Sequence, residues 1–157
     1  MTTPKSNLLI QLFWDVHLKL YLWSAGRIGH TIRNLPVLIL TTKGKKTGLL
    51  RPKALMYLPY GDDFVVIASN LGQANHPAWW INLLAEPVAT AQVGNLRYTV
   101  HAREADGEER EKLWNLIVAK NSDYKQYRAW TSRRIPVVIL ERQPAQSNEF
   151  EYPQRKD

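Results

Sequence analysis

The chain has 157 residues, a formal net charge of +7 and no cysteine. That length fits one domain around a single core, and the missing cysteine excludes disulfides, thiolate metal sites and a cysteine nucleophile. The positive balance attracts phosphate, nucleic acid and lipid headgroups alike and does not choose among them. Its four histidines, His17, His30, His76 and His101, are scattered without the HxxxH spacing that offers a metal one helix face, so no metal is expected. A cysteine-free composition fits a cytoplasmic setting.

In chain order, residues 6–24 read as an amphipathic helix. Leu9, Leu12, Phe13, Val16, Leu20 and Trp23 recur at helical spacing, with Ser6 as N-cap and Gly26 as the stop. Asp15, His17 and Lys19 interrupt it, so it reads neither as a membrane span nor as a signal-peptide core. It either closes one end of a barrel or rests peripherally on the inner face of a membrane. From Pro36 the pattern turns to strands. Val37–Leu40 is a continuous apolar run, followed by a basic turn over 43–48, a strand over 50–59 and, after Gly61-Asp62-Asp63, another over 64–68. A loop over 69–76 leads into a short helix opening near Pro77. Trp79 and Trp80 are adjacent, so one is expected in the core and the other on a pocket wall.

Strands over 88–93 and 96–104 flank the hairpin signal Gly94-Asn95. Asp106 with Glu109 reads as a capping box for a helix reaching about residue 120. Ser122 caps another short helix, and a last strand covers 135–141. The organisation is then a helix over 1–25, a core domain over 26–142 and a polar tail over 143–157. About six strands with a terminal helix and peripheral helices indicate an α+β domain around a small barrel.

Two loops and one helix could carry chemistry. Lys43, Lys45, Lys46, Arg51 and Lys53 crowd around Gly44 and Gly48, with the Thr47 hydroxyl among them. Glycine lets backbone N–H groups turn toward an anion, and flanking cations add charge-assisted bonds. The plainer reading is a solvated hairpin tip that protects a sheet edge. No Walker order GxxxxGK[ST] is present. Ala68-Ser69-Asn70-Leu71-Gly72 leaves a strand just before a helix, where small residues let a planar ring approach the backbone; a simple polar turn is the alternative. Tyr124, Tyr127 and Trp130 form a helical stripe that reads as core or as a phenol-bearing pocket wall. No GxSxG elbow or serine–histidine signature points to hydrolysis.

These segments, in this order, resemble the deazaflavin-dependent nitroreductase family, also described as coenzyme F420-dependent quinone reductases. The resemblance rests on Pro36 through Gly48 with Arg51, then Ala68-Ser69, Asn75, Pro77, Trp79, Trp80, Asn82, Leu83 and Pro87, and finally Trp130 through Arg133 with Ile135-Pro136. It covers about residues 26–141. The family implies a split β-barrel related to FMN-binding oxidases. By that resemblance, Lys45, Lys46, Thr47, Gly48, Arg51 and Lys53 hold the phosphate and acidic tail of the coenzyme. Ser69, Asn70, Leu71 and Gly72 meet its ring, and Pro77, Ala78, Trp79 and Asn82 line its pocket. Met56, Tyr124, Tyr127 and Trp130 form the substrate side, and a hydroxyl of Ser69, Tyr124 or Tyr127 assists protonation of the product.

The chain also departs from the pattern. Asn70 stands where similar members often carry lysine, and Met56 and Asn121 stand where relatives place tyrosine, so the substrate pocket is expected to differ. The expected activity is hydride transfer from reduced coenzyme F420 to a quinone, nitro compound or other electrophile. The alternatives are an FMN-dependent oxidoreductase on the same fold and a non-catalytic protein that holds the coenzyme or a lipid-like ligand. A homodimer is compatible with either. Specific nucleic-acid binding is disfavoured, because the cations cluster at one turn instead of forming a stripe between exposed rings.

Overall fold

The computed structural model describes residues 8–144; the expected cap at Ser6 and the tail over 145–157 lie outside the described residues. Val37–Leu40 reads as an unbroken apolar run because its strand is covered on both faces. Side chains alternate along a strand. In β2 (Leu35–Lys43), Leu38 and Leu40 therefore enter the central core cluster, while Val37 and Ile39 enter a second one behind the sheet. The same alternation splits β5 (Asp63–Ile67) and β8 (Val137–Arg142). Val66, Val138 and Leu140 face the central core; Val65, Ile67, Val137 and Ile139 face a layer of helices.

The remaining strands are β1 (Thr31–Ile32), β3 (Leu50–Met56), β4 (Leu58–Tyr60), β6 (Val88–Val93) and β7 (Leu96–Glu104). They form one sheet in the order β1-β2-β6-β7-β8-β5-β4, with β3 also paired to β2. Every pairing is antiparallel. The sheet curls around its central cluster with helices outside, which is the expected α+β split barrel.

Its eight strands exceed the expected six or so for two reasons. β1 is a two-residue strand that pairs with the start of β2. The expected strand over 50–59 breaks at Tyr57, whose N–H donates to the Pro36 carbonyl at 2.9 Å. Its ring packs edge-on against Phe64 with centroids 5.3 Å apart. Before that break β3 pairs with β2; after it β4 pairs with β5. Pro52 sits in β3, which pairs only with β2 among the described residues. An edge strand tolerates a residue with no N–H.

Among the described residues four α-helices complete the fold: α1 (Leu8–Trp23), α2 (Ala78–Ala85), α3 (Gly107–Lys120) and α4 (Asp123–Trp130). The periodicity located α1, but the apolar row it picked out is not the face packed on the sheet. Its buried residues are His17 and Tyr21, with Trp14 and Leu18 packed beside them. Leu9, Leu12, Phe13, Val16, Leu20 and Trp23 are all exposed. Tyr21 decides the orientation. Its hydroxyl donates to the Val37 carbonyl at 3.0 Å and accepts from Gly94 N–H at 2.8 Å, so the ring is drawn onto the back of β2. A phenol satisfied at both functions can be buried whole.

The two expected caps also differ. Asp106 makes no side-chain cap and instead pairs with Arg134, while Glu109 takes Arg103 through both carboxylate oxygens at 2.7 and 2.9 Å. Ser122 makes no side-chain cap at α4; Asn121 Oδ1 accepts from Asp123 N–H at 3.1 Å in its place.

Candidate active site

A cavity of about 950 Å³ lies between the basic turn, the 69–77 loop, α2, α4 and the first half of α1. Its size suits a cofactor-scale ligand. One wall is cationic. Lys45, Lys46, Thr47, Arg51 and Lys53 all line it, and none of the four cations forms an ion pair among the described residues. The turn that presents them is closed locally: Gly48 N–H donates to the Gly44 carbonyl at 2.7 Å, and Gly44 N–H to the Leu49 carbonyl at 2.8 Å. A Cβ on Gly44 would stand 2.8 Å from Thr47 Oγ1, so only glycine leaves that hydroxyl where it is. An anion-bearing ligand fits this wall, because uncompensated cations on an exposed turn repel one another until an anion joins them.

Asn82 holds the turn against α2. Its Oδ1 accepts from Lys45 N–H at 3.0 Å, and its Nδ2 donates to Thr42 Oγ1 at 3.0 Å. The side chain also lines the cavity, with one protein bond at each of its polar atoms. It positions the turn.

The second wall is built on strained backbone. After Ser69, residues Asn70 (φ 47°), Leu71 (φ 54°) and Gly72 (φ 74°) run consecutively through left-handed conformation in a short 3-10 turn. Non-glycine residues held there cost about 1–3 kcal/mol each and persist where their surroundings dictate the geometry. Arg133 supplies that constraint. Its guanidinium donates to the carbonyls of Ala68 (3.2 Å), Ser69 (2.7 Å) and Gln73 (3.0 Å) and bonds His76 Nδ1 at 3.1 Å. Burial, then the neighbouring Arg133 charge, pushes the His76 imidazole below its usual range. The neutral ring accepts a hydrogen bond from the arginine N–H at Nδ1. Gly72 completes the lock, since a Cβ there would meet the Tyr127 backbone at 3.0 Å. With its backbone so fixed, Ser69 lines the cavity, and its hydroxyl makes no hydrogen bond among the described residues.

Tyr124 and Tyr127 form the third wall, their rings edge to face at 5.7 Å. Burial raises both phenols above their ordinary range. They are hydrogen-bond donors throughout the neutral range. Asp123 beside them pairs with Arg33, which also lines the cavity, joining the β1–β2 hairpin to α4.

The structure brings together on these walls Met56, Ser69, Asn70, Leu71, Pro77, Ala78, Trp79 and Asn82 with the basic residues and both tyrosines. It leaves out others. Gly48 and Gly72 shape the loops without lining the cavity, and Trp130 packs on Tyr127 at 5.8 Å outside it. Asn121, expected to alter the pocket, is buried away from it. Trp79 and Trp80 divide much as expected, with Trp80 in the core alone and Trp79, though buried in the same central cluster, on the cavity wall. Sequence reasoning missed Arg133, although it stood within a quoted motif, and missed Ile10, Phe13 and Trp14 of α1, which line the cavity.

Known proteins resemble the chain along most of its length. The family model described as F420H(2)-dependent quinone reductase matches residues 14–142. An F420H(2)-dependent quinone reductase of Mycobacterium tuberculosis is 37% identical over 131 residues, covering 81% of this chain and 88% of that protein. A solved F420-H2 dependent reductase is 37% identical with a TM-score of 0.62, covering 68% of this chain and 94% of that one. A second structure, described as a domain-swapped dimer, is 32% identical with a TM-score of 0.64, covering 83% and 99%. An uncompensated cationic wall, a free serine hydroxyl and two protonated phenols around one cavity suit a coenzyme-dependent reductase, and the chain belongs to the F420H(2)-dependent quinone reductase family.

Proposed function

We propose that the chain reduces a quinone, with reduced coenzyme F420 held by Lys45, Lys46, Thr47, Arg51 and Lys53 at its anionic portion and by Ser69, Asn70, Leu71, Pro77, Ala78 and Trp79 at its ring. The bound coenzyme supplies hydride. The protein supplies orientation, exclusion of water and hydrogen bonds. Tyr124 and Tyr127 donate to the oxygen that becomes negative as a quinone accepts hydride, and the Ser69 hydroxyl is a third donor. Because burial holds both phenols above their normal range, their part is stabilisation of the oxyanion; the proton that completes the hydroquinone comes from solvent.

The observation that carries this reading is the meeting of unpaired cations and donor phenols on one cavity of about 950 Å³. Anaerobic titration with reduced F420 and with FMN, followed by addition of a soluble naphthoquinone, tests it. Saturable F420 binding and quinone-dependent return of the oxidised coenzyme's absorbance are expected. Tighter binding of FMN, or bound F420 with no turnover, would remove the assignment.

Two finer readings concern assembly. Leu9, Leu12, Val16 and Leu20 are exposed on α1 outside the cavity and support peripheral contact with a membrane surface, although no helix among the described residues is long and apolar enough to cross one. Equal flotation of intact and α1-deleted chains with vesicles would refute that. The domain-swapped neighbour supports a homodimer; light scattering at monomer mass would refute it.

A further inference from the structure

A second cleft, of about 390 Å³, lies between α3, α4 and the 131–135 segment. Its walls carry four guanidinium groups, those of Arg110, Arg128, Arg133 and Arg134, and one carboxylate, that of Glu111. Arg134 is compensated from outside the cleft by Asp106 at 2.8 Å and Glu104 at 3.5 Å. The other three have no carboxylate within ion-pair distance among the described residues. Arg133 spends its donors on the carbonyls of the 68–73 loop and on His76, and so brings charge to the cleft without free N–H groups.

Arg110 and Arg128 hold different positions. Both lie over the indole of Trp114, with guanidinium carbons 5.9 and 5.6 Å from the ring centre. That shared ring orients two forked donors into one cleft. Arg110 Nη1 is buried without a hydrogen-bond partner, an expensive condition for a cationic donor. Burial, followed by repulsion from Arg134, holds this guanidinium below the usual arginine range. The hydroxyls of Thr131 and Ser132 stand on the same walls.

We propose that this cleft binds the phosphate group of a small phosphate monoester, at a site separate from the coenzyme cavity. Guanidinium forks and hydroxyls are the donor set that a tetrahedral dianion takes, and three uncompensated cations beside a single glutamate leave the cleft attractive to one. The volume exceeds that of a bare ion, given about 30 Å³ for each water in the liquid. An ester with a small organic portion fills the remainder.

Calorimetric titration of the full chain with inorganic phosphate and with glycerol 3-phosphate, against sodium chloride at matched ionic strength, tests the site. Saturable binding is expected for both, with the ester at least as tight. Arg110→Gln with Arg128→Gln should weaken it tenfold or more. Arg128→Lys, which keeps charge and fold but loses the fork, should weaken it severalfold. Lys46→Ala with Arg51→Ala should leave this binding in place, which separates the cleft from the coenzyme wall. No phosphate heat beyond chloride, full binding in the double glutamine variant, or loss of all binding with the turn charges would each overturn the proposal. Binding of phosphatidic acid vesicles through Arg110 and Arg128 without any binding of glycerol 3-phosphate would overturn its assignment to a small ester.

Discussion

The basic turn and the serine loop both face one cavity, yet they are held by opposite means. The turn over 43–48 closes through bonds within residues 44–51, and its cations form no ion pair among the described residues. Asn82 tethers it from a distance in sequence. The loop over 69–73 has three consecutive left-handed residues and takes its shape from Arg133, some 60 positions away in sequence. The difference teaches where each part is vulnerable. A region closed by local bonds loses binding when its charges go and keeps its shape. A region held in strain by distant donors loses its shape first.

Several changes would break that contrast or sharpen it. The largest effect is expected from Arg133→Ala. Each loop carbonyl left without a donor costs about 1–3 kcal/mol, and the strained turn loses its constraint. Melting temperature and coenzyme affinity should fall together, and a variant with normal affinity would show that the loop holds itself. Gly72→Ala should follow. Its φ of 74° and a 3.0 Å approach to the Tyr127 backbone combine strain and clash, for a loss of roughly 1–3 kcal/mol in chemical denaturation. A neutral result would mean that α4 shifts freely away from the loop.

At the turn, Lys46→Ala with Arg51→Ala should leave the melting temperature nearly unchanged and weaken coenzyme binding, more at low salt than at high salt, because exposed charges are screened. A large stability loss would erase the distinction between the two regions. The smallest effect concerns Tyr124. Burial raises its phenol in the folded chain above the ordinary 10.0, so above about pH 10 the unfolded chain releases a proton that the folded chain keeps. Stability then falls as pH rises, and below that range the residue adds no slope. Tyr124→Phe should flatten the fall in urea midpoint between about pH 10 and 11; an unaltered slope would place the alkaline sensitivity elsewhere.

Much of the fold was legible in the chain. The hairpin around Gly94-Asn95 has its strands over 88–93 and 96–104 as expected, because a two-residue turn fixes register locally. The split at Tyr57 was not legible, since it depends on Phe64 and the Pro36 carbonyl being nearby. In α1 the helical period showed in the sequence, but the buried face did not. Exposed leucines outnumber the buried positions, and the hydrogen bonds of Tyr21, made to residues brought close only by folding, choose the side.

The sequence by itself determined the cations of the turn, the glycines that close it, the strand periods and the family to which the chain belongs. Each of these is written in neighbouring residues and needs only local backbone geometry. The tertiary structure alone decided that Arg133 shapes the serine loop, that Asn82 anchors the turn from the cavity wall, and that Trp130 stays outside the cavity. Those roles depend on which buried donors and acceptors meet across the chain, and a buried polar group takes whatever partner the packed fold puts within reach.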